Sequence, residues 1–427
     1  MQSMTTTGFD RMWAALAPVG RDGSTGGYRR FAWTRTDHDL REWFAGECAE
    51  RGLALSEDRA GNQWGWWGDP DTTRGLVMGS HLDSVPDGGA FDGPLGVVSA
   101  LATVDALRAA GVTPARPVGV VNFVDEEGAR FGVACAGSRI ITGALDADRA
   151  RGLSDADGIT MAEAWRAAGR DPAALGPDET ALRRVHAFVE LHVEQGRALA
   201  LNPDGSAPGD PSDATRAVAV GTDIWPHGRW RIEIPGEANH AGTTRLEDRR
   251  DAMLGLATIV QQARTYAAEL GCVATVGKVQ VEPGGVNAVP SHVTAWLDAR
   301  GPAERAVRAT VAGVLDAAGE LGGAHEEESW TPTTRFDAAL ASRVTGILPD
   351  APLLGTGAGH DAGILATHGI PTAMLFVRNP TGVSHSPAEF AEPEDCHRGV
   401  AALTAVVTEL CTSDHRDPRN QTEDLHA

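Results

Sequence analysis

Positive charge is scarce in this chain. Lysine occurs once, at Lys278, and 37 basic residues face 58 acidic ones, for a formal net charge of −21. A field of that sign excludes recruitment of nucleic acid or of an anionic membrane by general attraction; it suits a small polar substrate, or cations. Long hydrophobic runs are missing too. No apolar stretch approaches the ~18 residues of a membrane span. The opening "MQSMTTTGFDRMWAALAPVG" has no basic start leading into an apolar segment, so no signal peptide is expected. Cysteine is sparse: five residues, at 48, 135, 272, 396 and 411, odd in number and never in a CxxC pair. That argues against a disulfide framework and against a thiolate zinc site, and it fits a reducing cytoplasm. Any metal must then be held by His, Asp and Glu.

What is present is a 427-residue chain, 42% apolar, too long for one hydrophobic core and too apolar for disorder. Apolar, β-branched runs alternate with Ala/Leu-rich helical stretches. "GLVMGS", "PVGVVNFV", "RVHAFVELHV" and "IPTAMLFV" read as strands, and "LGVVSALATVDALRAAG" as a helix stopped at Gly111. Strand followed by helix, repeated, predicts an α/β fold with a doubly wound mixed sheet. A Pro/Gly/Ser/Asp-rich break, "NPDGSAPGDPSDATR" at 202–216, precedes a change of style. "GRWRIEIPGE", a helix over "RRDAMLGLATIVQQARTYAAELG", "CVATVGKVQVE", "SHVTAWLDAR", a helix over "AERAVRATVAGVLDAAGEL" and "HEEESWTPTT" give the order β-α-β-β-α-β. That order predicts four antiparallel strands and two helices. The expected division is therefore a discontinuous catalytic domain, 1–217 and 332–427, with an inserted α+β domain at 218–331. The last residues, "TSDHRDPRNQTEDLHA", read as a frayed tail.

Four polar clusters follow the predicted strands. "HLDSVPDGGAFDGPLG", 81–96, holds His81 and Asp92 in a loop loosened by Gly88, Gly89 and Gly93. Asp83, two residues from His81, can hydrogen-bond the imidazole and fix its tautomer, as a metal-ligating histidine requires. The alternative for the loop alone is a solvated acidic turn. In "NFVDEEGARFG", Glu126 and Glu127 end a strand, where neighbouring side chains point apart. One could bind a metal and the other stay free as a base; otherwise this is an acidic strand end facing water. His192, after Glu190 in "FVELHVEQG", is either a ligand or a satisfied core histidine. His385 lies in "GVSHSPAE" after the last strand. The C-terminal ends of parallel strands are where a doubly wound sheet gathers its ligands. Histidines and carboxylates gathered there would suit two divalent ions bridged by one carboxylate, and nitrogen and oxygen ligands fit zinc, manganese or cobalt.

These segments, together with "ANHAGTT", "GGVNAVP" and "GAGHDA", resemble the M20 metallopeptidase superfamily. Specifically they look like its amidase/carbamoylase branch of allantoate amidohydrolases, N-carbamoyl-L-amino acid hydrolases and β-ureidopropionases. The likeness runs from about residue 30 to residue 410, with seven motifs in order. It implies that His81 and His192 bind one metal, Glu127 and His385 the other, and that Asp92 bridges them. Glu126 would be the general base, and the peptide after Asp92 would be cis. The resemblance further implies a homodimer in which His240 of the inserted domain reaches the partner's site and stabilises the oxyanion. The inserted domain would then be a lid and dimerisation domain. Gln195, Asn287, Arg300 and Gly359 match substrate-contact positions; Arg300 could form a bidentate pair with a substrate carboxylate. One departure stands out: Arg245-Leu246 follows "NHAGTT", where the family usually has Pro-Met.

The implied reaction is hydrolysis of a ureido group. Water attacks the carbamoyl carbon, ammonia leaves, and the carbamate breaks down to carbon dioxide and a second nitrogen product. "IWPHGRW" and "FVRNPTGVSHSPAE" look most like allantoate amidohydrolases of high-GC bacteria. An N-carbamoyl-L-amino acid or β-ureidopropionate is the alternative substrate. A peptidase or deacylase of the wider superfamily, and a silent binding protein that keeps the fold, are the remaining readings.

Overall fold

The computed structural model describes residues 2–202, 204–207 and 213–412. Part of the break at 202–216, and the tail beyond Thr412, lie outside the described residues. The chain divides into two compact units. One comprises Met1–Thr222, Phe336–Leu354 and Gly359–Ala427; the other comprises Asp223–Arg335 and Gly355–Ala358.

The larger unit is built on a mixed sheet. Among the described residues, seven of its nine strands lie in the order Ala54–Glu57, Gln63–Trp67, Val118–Phe123, Gly75–His81, Val185–Val193, Thr372–Val377 and Val218–Ile224. The central four run parallel to one another; the outer pairings are antiparallel. Gly75–His81 and Thr372–Val377 are buried at every position. Helices that cover both faces of a parallel sheet demand this, which explains the uninterrupted apolar runs of the sequence. Chief among the helices is Pro94–Ala109. Pro94 at its first turn gives up no needed N–H, and every residue from Pro94 to Val104 is buried. Its Leu95, Val98 and Leu101 share one core with Leu403 and Val407 of the helix Pro393–Thr412. Phe9, Met12 and Leu16 of an N-terminal helix, Gln2–Leu16, join the same core. Because the central strands are parallel, His81, Phe123, Val193 and Val377 end on one edge of the sheet.

The smaller unit is a four-stranded antiparallel sheet, ordered Ala324–Thr331, His227–Pro235, His292–Arg300 and Val273–Glu282. Burial alternates strictly along His292–Arg300, as it must for a sheet with one covered face. Trp230, Ile232, Ile234, Val293 and Leu297 pack against Leu256 and Ile259 of the helix Ala252–Leu270 and Val307, Val311 and Val314 of the helix Glu304–Glu320. A two-residue ladder pairs Asn239–His240 with Ala288–Val289. No helix among the described residues is long and apolar enough to cross a membrane.

Candidate active site

The strand ends of the larger unit hold the polar clusters. His81 is the last residue of its strand, and His192 stands one place before the end of Val185–Val193, opposite Phe376 in the parallel register. Both are fully buried. Asp92 enters from the loop after His81. The left-handed Gly93, at φ 86°, turns the chain there into the helix Pro94–Ala109. A Cβ at Gly93 would lie 2.5 Å from the His81 ring, so only glycine lets this loop pass over the imidazole. The expected cis peptide after Asp92 is not found. The one cis bond among the described residues is Glu282–Pro283. The turn is made by the positive φ of Gly93.

Asp92 stands between the two arms of the site. Its Oδ1 lies 3.2 Å from His192 Nε2 and 3.6 Å from His81 Nε2. Its Oδ2 lies 3.4 Å from His385 Nε2, which in turn is 3.5 Å from Glu127 Oε2. Two groups therefore could each hold a metal ion, His81–Asp92–His192 and Asp92–Glu127–His385, with ligand atoms inside 4.8 Å of one another in each. The Nε2 atoms of His81 and His192 are buried and have no hydrogen-bond partner. Two orphaned imidazole nitrogens aimed at one carboxylate oxygen are what a cation would satisfy, and the all-N/O donor set fits a divalent ion.

Asp83 organises more than the imidazole. Its Oδ1 lies 3.3 Å from His81 Nδ1, and its main-chain oxygen is 3.2 Å from the same nitrogen. Its carboxylate also accepts the N–H groups of Glu126 at 3.2 Å and Glu127 at 3.0 Å. The strand Val118–Phe123 does not run on into the acidic triplet. Asp125 takes a left-handed φ of 54°, and the two glutamates beyond it diverge. Glu127 turns to His385. Glu126 sets Oε2 3.6 Å from His81 Nε2 and accepts a thiol hydrogen bond from Cys135 on Oε1 at 3.3 Å.

Charge and burial oppose each other here. Burial favours the neutral form of Asp92, but the imidazoles of His192, His385 and His81 beside it hold its carboxyl well below the usual range. Burial works against a charge on His81, yet Glu126, Asp83 and Asp92 hold its imidazole well above its ordinary value. Glu126 is pushed well above the usual carboxylate range by burial, in spite of the opposing pull of His81. Glu127 is raised to about 7, by burial and then by Asp92.

Of the other expected residues, Gln195 donates its amide N–H to Asp92 Oδ2 at 2.8 Å, and its own Oε1 is buried without a partner. Gly359 borders open space just before His360, which caps the helix Asp361–Thr367. In the smaller unit, the Ala241 N–H donates to the Asn287 carbonyl at 2.9 Å, so the ladder brings His240 and Asn287 together. Arg300 forks onto Asp298, two residues back on the same strand face, at 2.7 and 3.0 Å, and donates to the Gly357 carbonyl at 2.9 Å. Arg245 pairs with Asp248 and Glu247 at the surface.

Sequence reasoning missed a buried layer behind His192. Glu190 and His360 gather with His192 in a third group of ligand-type side chains. Glu190 accepts from Ser80 Oγ at 2.7 Å and from the Ala362 N–H at 3.3 Å, and Ser138 Oγ donates to Asp361 at 2.5 Å. The signal was present in "GAGHDA", whose His-Asp pair follows an apolar strand as the other clusters do.

Residues 77–409 match the family described as peptidase family M20/M25/M40. The chain belongs to this family. As an M20-family hydrolase it is 36% identical over 426 residues to the N-carbamoyl-L-amino acid amidohydrolase of Geobacillus stearothermophilus, covering 94% of this chain and 98% of that relative. It is 30% identical over 410 residues to the allantoate amidohydrolase of Escherichia coli (strain K12), covering 92% and 95%. The crystal structure of an amidase of the hydantoinase/carbamoylase family from Burkholderia multivorans superposes with a TM-score of 0.80 at 30% identity, over 95% of this chain and 98% of that one. The M20 hydrolase thus shares its α/β architecture with amidases over nearly its whole length.

Proposed function

We propose that this hydrolase cleaves the C–N bond of a ureido group on a small substrate bearing a carboxylate, with two divalent ions per subunit, as a cytoplasmic homodimer. The observation that carries the reading is Asp92, whose two oxygens each face a separate ligand group. The names of the relatives support the ureido class. Allantoate stands first among substrates on the stretches "IWPHGRW" and "FVRNPTGVSHSPAE". An N-carbamoyl-L-amino acid is the second reading, favoured by the 36% identity to a protein of that name.

His81, His192 and Asp92 would hold one ion, and Asp92, Glu127 and His385 the other; zinc, manganese and cobalt all suit these donors. When bound, such a pair supplies an activated water and Lewis-acid stabilisation of the oxyanion. The chain's own residues do the rest. Asp83 fixes the His81 ring and the backbone of both glutamates. Glu126, outside both ligand groups, takes a proton from the attacking water and delivers it to the leaving nitrogen. Asn287, Arg300, Gln195 and Gly359 orient the substrate, Arg300 by turning its fork from Asp298 to the substrate carboxylate. The unit Asp223–Arg335 serves as lid and dimerisation domain, through which the partner subunit's His240 donates to the developing oxyanion.

The test is ammonia release from allantoate, N-carbamoyl-L-amino acids, β-ureidopropionate and dipeptides. We expect turnover on a ureido substrate, its loss after chelation, and its return with manganese, cobalt or zinc. Activity on dipeptides alone, or full activity in verified metal-free protein, would overturn the reading.

A further inference from the structure

Glu389, four residues beyond His385, is 4% exposed and takes no part in either ligand group. Its Oε1 accepts two backbone N–H groups across the fold, from Phe91 at 2.8 Å and Asp92 at 2.9 Å. The Ser384 hydroxyl lies 3.2 Å from Glu389 Oε2 and 3.2 Å from Asp92 Oδ2, bridging the two carboxylates. Room for this approach depends on Gly89, where a Cβ would overlap the Cβ and Oε1 of Glu389.

We infer that Glu389 is a positioning residue that locks the Asp92 loop and the His385 loop into one unit and so sets the second ligand group. The inference rests on the two-ion reading above. The two groups differ in their support. His81 and His192 are themselves buried and stand on parallel strands whose ladders fix them. Glu127 and His385 stand on loops, His385 at a left-handed φ of 54° with a half-exposed side chain. Nothing in the sheet sets the distance from His385 to Asp92. Among the described residues, Glu389 and Ser384 make the hydrogen bonds that tie the segment 384–389 to the segment 91–92. Losing this clamp frees Asp92, which both groups share, but the group whose other two ligands stand on loops loosens most, while His81 and His192 keep their places on the strands. A carboxylate suits the task because one oxygen can accept two N–H groups while the other faces a hydroxyl.

The experiment measures ions per subunit and the affinity for each, by elemental analysis and chelator competition with manganese or zinc, on the full chain. Glu389→Ala is expected to weaken the second ion about 10–100-fold, the usual range for a lost supporting partner, and to leave the first nearly unchanged. kcat should fall with the second ion and KM should move little. Glu389→Gln keeps an acceptor oxygen for both N–H groups and should restore most of the affinity. Gly89→Ala leaves every ionisable group in place and displaces Glu389, so it should reproduce the selective loss even if Glu389→Ala folds poorly. Parental affinities in Glu389→Ala or Gly89→Ala, equal weakening of both ions, or a Gln variant as poor as Ala would each overturn the inference. A parent protein that binds fewer than two ions would overturn the two-ion reading itself, which keeps the two failures distinct.

Discussion

Glu126 and Glu127 are adjacent in sequence and opposite in circumstance. Glu127 faces His385 across 3.5 Å and belongs to a ligand group, whereas Glu126 belongs to none and is held by the Cys135 thiol on one oxygen. Burial raises the affinity of Glu126 for a proton, which suits a group that must accept one and release it again. Glu126→Gln should therefore keep both ions, by elemental analysis, and lose turnover by about 10²–10⁴-fold or more. If the variant loses an ion instead, the two glutamates have exchanged roles. The divergence was legible from "DEE" at a strand end, but its cause was not. The sequence offers no sign that Asp125 adopts a left-handed conformation, nor that Asp83, 43 and 44 residues earlier in the chain, takes both glutamate N–H groups. The partners of Glu190 and Glu389 are more distant still, Ser80 and Ala362 for the first and Asp92 for the second, so each side chain looks like an isolated acid until the fold brings them together.

At the scale of elements, period and burial made the sheet legible. Strands buried on both faces read as unbroken apolar runs, and the smaller unit's strand His292–Arg300 alternates at every position. The ladder Asn239–His240 is not legible in the sequence, because two residues carry no period, and the N-terminal helix Gln2–Leu16 becomes part of the fold only through Phe9, Met12 and Leu16 in the core. The connection from His81 to the helix Pro94–Ala109 shows how tightly an element boundary can be specified. Gly93 meets two demands there, a left-handed φ of 86° and contact with the His81 ring. Gly93→Ala should cost about 1–2 kcal/mol for the backbone alone, and the added methyl should push His81 off Asp92. We expect a lower Tm and weaker binding of the ion held by His81 and His192. A Gly93→Ala protein with parental metal content and Tm would show that the loop adjusts without moving the imidazole.

At the scale of the whole molecule, the chain carries its chemistry on two units that are far apart in character. The larger holds both ligand groups and Glu126; the smaller holds His240, which is exposed beside Asn287 in its short ladder. The proposed homodimer assigns the partner subunit's His240 to each site, where a hydrogen bond to the oxyanion would be worth about 2.7–4 kcal/mol, as for comparable donors. A two-fold dimer gives two such composite sites. The arrangement is tested by mixing variants. One subunit carries His240→Ala and the other Glu126→Gln, and each homodimer is nearly inactive by itself. If histidine acts across the interface, the heterodimer has one site lacking both groups and one site lacking neither. Its turnover per dimer should be about half that of the parent, because one of two sites is whole. If His240 serves its own subunit, every site in the heterodimer lacks one group and no activity returns. An assembled heterodimer, purified by two different tags and shown to hold metal, that remains inactive would rule out the shared site and leave His240 to act within its own chain.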